Sequence, residues 1–230
     1  MNAPGPDCYD PPAAVLSSPE SNMRFARAFL LAAALAGMPA IAAAQAATLP
    51  PIAEFYFDDD SAARPIEVVS PEGGDVVRRL ERALQRDSRN ALAMGQLAGI
   101  AYASGRAETG ESFYATAIDL ASSGGTHQRQ LMWNHGWDLY RAGRHEAALE
   151  EWLKAIAAHR GRPSWAPVTL ALALGRLGRE AEALEWYAAA VRTRPERFVD
   201  RAAMERAHPG WRAEDIDVLV ALAAKAAATP

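Results

Sequence analysis

Three glycines, each followed by arginine, recur along the chain as Gly105-Arg106, Gly143-Arg144 and Gly178-Arg179, 38 and then 35 residues apart. A period of that length constrains the fold more than any single motif, because it means that one supersecondary unit is being reused. The segments around the glycines align. Residues 91–122 carry Leu97, Ala98, Gly110, Tyr114 and Ala117; residues 129–160 carry His135, Gly136, Ala148, Trp152 and Ala155; residues 164–195 carry Leu170, Ala171, Ala183, Tyr187 and Ala190. The longer first spacing is accounted for by Ser122-Ser123-Gly124-Gly125-Thr126-His127, a run of chain breakers. Each unit reads as two amphipathic helices with apolar residues at spacings of three and four. The glycine lets the first helix end in a left-handed turn, so the chain reverses at once. Small residues at Gly110, Ala148 and Ala183 let the second helix approach the first, and Tyr114, Trp152 and Tyr187 fill the space one turn later.

Over residues 91–195 the chain resembles the tetratricopeptide repeat family, whose 34-residue helix-turn-helix unit has small residues at its eighth, twentieth and twenty-seventh positions. The third unit also ends in the family's proline, Pro195. The second departs at His135, where a large apolar residue is usual, and the fourth position holds Met94, Met132 and Pro167, never tryptophan. The resemblance implies an all-α fold, a short right-handed solenoid of antiparallel helix pairs with about three full repeats and half-repeat caps. The expected units are 91–124, 129–162 and 164–197. Residues 75–90 form an N-terminal half-repeat, with Asp75 to Arg86 as its helix, and 198–230 a degenerate capping repeat, with helices over Phe198 to Ala207 and Ala213 to Ala226. Stacked units of this kind bury their faces only against neighbours.

Ahead of the repeats the chain changes character. Residues 1–22 are proline-rich and aperiodic, and are expected to be an over-long N-terminal extension with Met23 as the true start. Residues 23–46 place Arg24 and Arg27 before an apolar run from Ala28 to Ala44 and end in small residues, the order of a cleavable secretory signal. The expected location is periplasmic, with no stable membrane insertion after cleavage, since the run is short and diluted by Gly37 and Pro39. Residues 47–74 have no helical period. Their Phe55-Tyr56-Phe57 cluster is expected to dock on the protein's own helices or pair as a short strand, and Asp58-Asp59-Asp60 to form a solvated turn, since calcium wants alternate ligand spacing.

Little else in the chain carries chemistry. Twenty-four basic against 28 acidic residues leave a net charge of −4, with no footprint for nucleic acid. The single cysteine, Cys8, excludes an internal disulfide and a thiolate metal site. His145-Glu146 lacks the second histidine of a zinc-binding helix, where Leu149 stands, and His135 reads as a hydrogen-bonded core residue. Carboxylate pairs such as Glu108 with Glu111 and Glu150 with Glu151 read as solvated outer faces. No catalytic residue, metal or cofactor is expected.

The resemblance assigns the concave groove to positions two, five, nine, twelve and thirteen of each unit. Carried over, these positions hold Leu92, Gly95, Gly99 and Tyr102 in the first unit, Gln130, Trp133, Trp137, Tyr140 and Arg141 in the second, and Trp165, Val168, Leu172 and Arg176 in the third; the partner-binding side chains expected among them are Tyr102, Trp133, Trp137, Tyr140, Arg141, Trp165 and Arg176. Trp133, Trp137 and Tyr140 lie four and three residues apart, on one helical stripe. Aromatics with arginines make an interaction hot spot. The expected function is therefore a non-catalytic interaction or scaffolding module of the cell envelope, binding a peptide or helix of another protein, with the arginines holding a carboxylate. Two alternatives stand beside it: a hydrolase of envelope polymers using surface carboxylates, and a self-assembling structural protein. The stripe itself has a second reading, in which it packs on the next unit or beneath residues 55–57.

Overall fold

Gly105, Gly143 and Gly178 adopt left-handed backbone at φ 73, 78 and 71°. At each, the following arginine donates its N–H across the turn, Arg106 to Ala101 at 2.8 Å, Arg144 to Leu139 at 3.0 Å and Arg179 to Leu174 at 3.0 Å. That six-to-one bond closes a helix end whose carbonyls would otherwise lack donors. The computed structural model describes residues 47–70 and 74–228. The expected extension and signal, residues 1–46, lie outside the described residues.

All regular structure among the described residues is helical. α1 spans Val76–Arg86, α2 Ala91–Ala103, α3 Ala107–Leu120, α4 Thr126–Arg141, α5 His145–His159, α6 Ala166–Arg176 and α7 Glu180–Thr193. α2 packs chiefly on α3, α4 on α5 and α6 on α7, and successive pairs meet through α2 with α4 and α5 with α6. Within a pair the helices approach closely. A Cβ on Gly136 would overlap the Trp152 indole, and one on Gly110 would overlap the Tyr102 ring. Tyr114, Trp152 and Tyr187 are buried between their helices.

α1 is capped by Asp75, which accepts from the Arg78 N–H, and buries Leu80 against α2. At the other end, a 3-10 turn over Pro195–Arg197 leads to α8, Arg201–Ala207, and α9, Ala213–Ala228. The first of these helices starts later than Phe198 because Asp200 is its N-cap, accepting from the Ala203 N–H at 2.7 Å. Phe198 instead packs edge-on against Tyr187, centroids 5.6 Å apart. α9 buries Ile216, Leu219 and Leu222 and packs on α6 and α7. With α5, α7 and α9 around it, α6 is buried at every residue from Ala166 to Leu174, which explains why its sequence is apolar on all sides. No helix among the described residues is long and apolar enough to cross a membrane.

Residues 47–70 form an irregular strap across the helix pairs, with a turn at residues 60–64 in which the Ala63 N–H donates to the Asp60 carbonyl at 3.0 Å and the Arg64 N–H to the Ala62 carbonyl at 2.8 Å. The Ala47 N–H donates to Glu146 and its carbonyl accepts from Arg179. Tyr56 is buried beside Trp186, and its N–H donates to Thr193 Oγ1 at 3.2 Å. Asp58 makes an isolated parallel bridge with Pro163, and its side chain accepts from the Arg162 N–H. The expected turn forms, with Asp58 and Asp59 exposed and the Ala63 N–H on the Asp60 carbonyl, but the expected solvation is corrected at Asp60, whose side chain is buried. Asp60 Oδ1 accepts from Arg129 at 3.2 Å and from the Ala62 N–H at 3.1 Å, while Oδ2 accepts from the Trp165 indole at 3.3 Å. Arg129, on α4, and Trp165, at the N-cap of α6, are distant in sequence, so a reading of the tripeptide by itself leaves Asp60 in water.

A candidate partner-binding site

α4 carries Trp133, Trp137 and Tyr140 on one face because 3.6 residues per turn bring spacings of four and three into register. Trp165 caps the start of α6, and the turn between α8 and α9 brings Trp211 opposite. Trp133, Trp137, Trp165 and Trp211 together line a cavity of about 590 Å³, within the range of ligand sites. Its polar lining includes Asp59 from the strap, Arg197 and His208. Among the described residues no cluster of His, Cys, Asp and Glu could hold a metal ion.

The seven residues assigned to a single groove divide into three groups. Trp133, Trp137 and Trp165 share the tryptophan cavity. Tyr102 and Arg141 line a smaller neighbouring cleft of about 290 Å³ with Asp138 and Arg212. Tyr140 and Arg176 are covered by the start of α9: Arg176 Nε donates to the Tyr140 hydroxyl at 3.0 Å, and Nη2 donates to the Glu214 carbonyl at 2.8 Å and lies 3.8 Å from Asp215. Arg176 is thus corrected from a holder of a partner's carboxylate to an internal clasp on α9. Arg141 remains exposed, with its guanidinium 5.6 Å from the Trp137 ring centre.

Trp137 is 5% exposed and is the hub of the aromatic cluster. Its ring centre lies 6.0 Å from that of Trp133, 5.8 Å from Tyr140 and 5.1 Å from both Trp152 and Trp211. It forms the floor of the cavity and belongs to the core. Trp133, Trp165 and Trp211 are only partly buried and form the walls. The indole N–H groups of Trp133 and Trp137 are buried without an acceptor. Trp211 has no counterpart in the assigned groove. The turn residues His208-Pro209-Gly210 ahead of it mark a chain reversal, and His208 packs on its ring at 4.4 Å.

A second polar cluster lies between the first two helix pairs. His135 Nε2 is 3.1 Å from Glu111 Oε2, and Nδ1 is 3.6 Å from Glu151 Oε1, beyond hydrogen-bond range. Tyr102 donates to Glu111 at 2.6 Å, Arg144 pairs with Glu111, and Lys154 donates to Glu151 at 2.8 Å. The solvated outer face expected of Glu111 and Glu151 is corrected: Glu151 is buried and both turn toward His135. Burial by itself would raise both carboxyls. Tyr102, His135 and Arg144 around Glu111, and His135 and Lys154 around Glu151, outweigh it and hold both below the ordinary carboxylate value. Tyr114 stacks on His135 at 4.5 Å and donates to Asp138 at 2.7 Å; burial is the largest cause that keeps its phenol well above the usual value. This network pairs the buried carboxylates across four helices, leaves His135 Nδ1 buried without a hydrogen-bond partner, and stands apart from the tryptophan cavity.

No family model matches the chain, and no curated protein is similar to it.

Proposed function

We propose that the chain is a tetratricopeptide-like solenoid, exported by the signal over residues 23–46 to the cell envelope, where it binds a peptide or helix of another protein without catalysis of its own. The observation that carries this reading is the tryptophan cavity. Partly exposed indoles on three separate elements offer large area at small entropic cost, which is the composition of an interaction hot spot. The pairing of α2 with α3, α4 with α5 and α6 with α7 around glycine turns supports the repeat architecture. Of the two adjoining carboxylates at the cavity rim, Asp60 is held by Arg129 and Trp165, which leaves Asp59 without a free partner for paired acid–base work.

The test is a peptide-display selection against the full chain, followed by titration of the selected peptides into wild type and single Trp133→Ala and Trp211→Ala variants. Both variants are expected to keep their helical circular dichroism and lose at least tenfold in affinity. Peptides that bind both variants as well as wild type would move the site away from the cavity.

A further inference from the structure

The face shared by α2 and α4 already holds a segment of non-helical chain, the strap. Its contacts there are made to main chain. Gln96 accepts from the N–H groups of Val68 at 2.8 Å and Val69 at 3.0 Å, and donates to the Val69 carbonyl at 2.7 Å. Asn134 donates to the Arg64 carbonyl at 2.8 Å, and Gln130 to the Pro65 carbonyl at 3.0 Å. Side-chain amides that bond carbonyls and N–H groups read a backbone whatever its sequence, as peptide-recognition surfaces do. Three side chains add selectivity. Asp60 bonds Arg129, Ala62 is fully buried, and Ile66 lies over Gly95, where a Cβ would stand 2.9 Å from its Cδ1. Arg64, Pro65, Glu67 and Val68 are exposed, so the strap lies on the surface and is not threaded through the core.

The fit has one defect. Gln130 is 3% exposed, and its Oε1 is buried without a donor. The residue that lies over it, Pro65, has no N–H to give. A buried acceptor left unmet is a standing penalty that a different occupant can remove.

We infer that residues 60–69 are a resident peptide, and that the same face takes a segment of another polypeptide, one that makes the same turn at its start, in exchange. The segment it fits has a carboxylate, a small residue two positions on, a residue with a free N–H five positions on and a branched aliphatic side chain six positions on. This rests on the proposed peptide-binding reading and adds what regulates it, because Asp59, Ser61 and Ala63 of the strap also wall the tryptophan cavity. Exchange of the strap therefore opens the cavity and the α2–α4 face together. The tether gives the resident an effective concentration in the millimolar range, so a competitor needs the better match at Gln130.

The test uses the full chain and two labelled synthetic peptides, the sequence of residues 58–70 and the same sequence with Pro65→Ala, followed by fluorescence anisotropy. The Pro65→Ala peptide is expected to bind at least threefold more tightly than the strap's own sequence. Placing Ile66→Asp in the chain, which unseats the resident, should tighten both peptides at least tenfold, and the same substitution in the peptide should abolish binding. A natively helical Ile66→Asp chain that binds neither peptide overturns the inference. The milder Pro65→Ala substitution in the chain gives an independent readout. It improves the resident, so added peptide should bind at least threefold more weakly, and unchanged binding would also refute exchange. Trp133→Ala separates the two readings: loss of display-selected peptides in that variant, with no response to any strap substitution, leaves the cavity proposal standing and removes this one.

Discussion

Replacing Trp137 by alanine separates a core tryptophan from a partner-facing one. A tryptophan side chain buries about 200 Å², and Trp137 is 5% exposed. At about 25 cal/mol per Å² the gross transfer loss approaches ~5 kcal/mol. Two terms reduce it. Alanine keeps the Cβ, and the substitution removes an indole N–H that is buried without an acceptor, a group that costs about 1–3 kcal/mol where it stands. The expected net destabilisation is about 2–4 kcal/mol, in line with large-to-small changes in packed cores. Trp137→Phe is the control, because it keeps most of the ring contact and deletes the orphan N–H, and should cost less than about 1.5 kcal/mol. Urea unfolding followed by circular dichroism at 222 nm reads both. With a slope of about 2 kcal/mol per molar, the alanine midpoint should fall by about 1–2 M at unchanged slope, and the phenylalanine midpoint by well under 1 M. An alanine variant within about 0.3 M of wild type at the same slope would refute the core assignment and return Trp137 to the partner-facing stripe.

Gly136→Ala should destabilise by about 1–3 kcal/mol, since its methyl group would overlap the Trp152 indole that fills the gap between α4 and α5; an unchanged thermal melt would show that the pair tolerates a wider spacing. Acid should weaken the fold in two stages. Burial, reinforced by the charge of Arg197 and only partly offset by the Met204 carbonyl, holds His208 below its ordinary 6.5, so the unfolded chain takes up the proton first and stability falls as pH drops below that value. Glu111 and Glu151, held below their ordinary 4.5, add stability that is complete above that value and is lost as pH falls through their lowered values. Melting temperatures measured from pH 7.5 to 3 should show both steps; burial and the charge of Arg176 also hold His145 below 6.5, so His208→Asn should shrink the first step without abolishing it and leave the second unchanged, and a profile that is level down to pH 5 in wild type would overturn the His208 assignment.

How far the sequence discloses this structure depends on how local each cause is. The helix reversals at Gly105, Gly143 and Gly178 are legible because left-handed backbone and a small residue for close approach are demands on single positions. The caps are legible too: Asp200 is a standard N-cap residue, and weighing it against the apolar pull of Phe198 would have placed the start of α8 correctly. His135 carried a usable sign, since a polar residue at an apolar packing position needs a partner, and a carboxylate on a neighbouring helix is the natural one. What stays hidden is the strap. Its bonds run from main chain to Gln96, Gln130 and Asn134, of which the repeat register marks only Gln130 as facing the groove, and from Asp60 to a guanidinium 69 positions away. The cavity was half visible. Three of its tryptophans follow from helical spacing or unit register, but Trp211 arrives through a turn whose direction the sequence does not encode locally.

The strap also sets a schedule. Tyr56 bonds to Thr193, 137 residues later in the chain, and Ala47 to Arg179, 132 residues later. A ribosome that adds about 5–20 residues per second needs roughly 7–27 s to make the helix that receives Tyr56 after Tyr56 itself has been made. Through that interval the helix pairs can close one after another on local contacts, while the strap, made before any of these helices, waits for α7 before Tyr56 can find its seat. Anything that engages residues 47–70 in those seconds meets an open chain, and the finished fold presents those residues mostly as surface already spoken for.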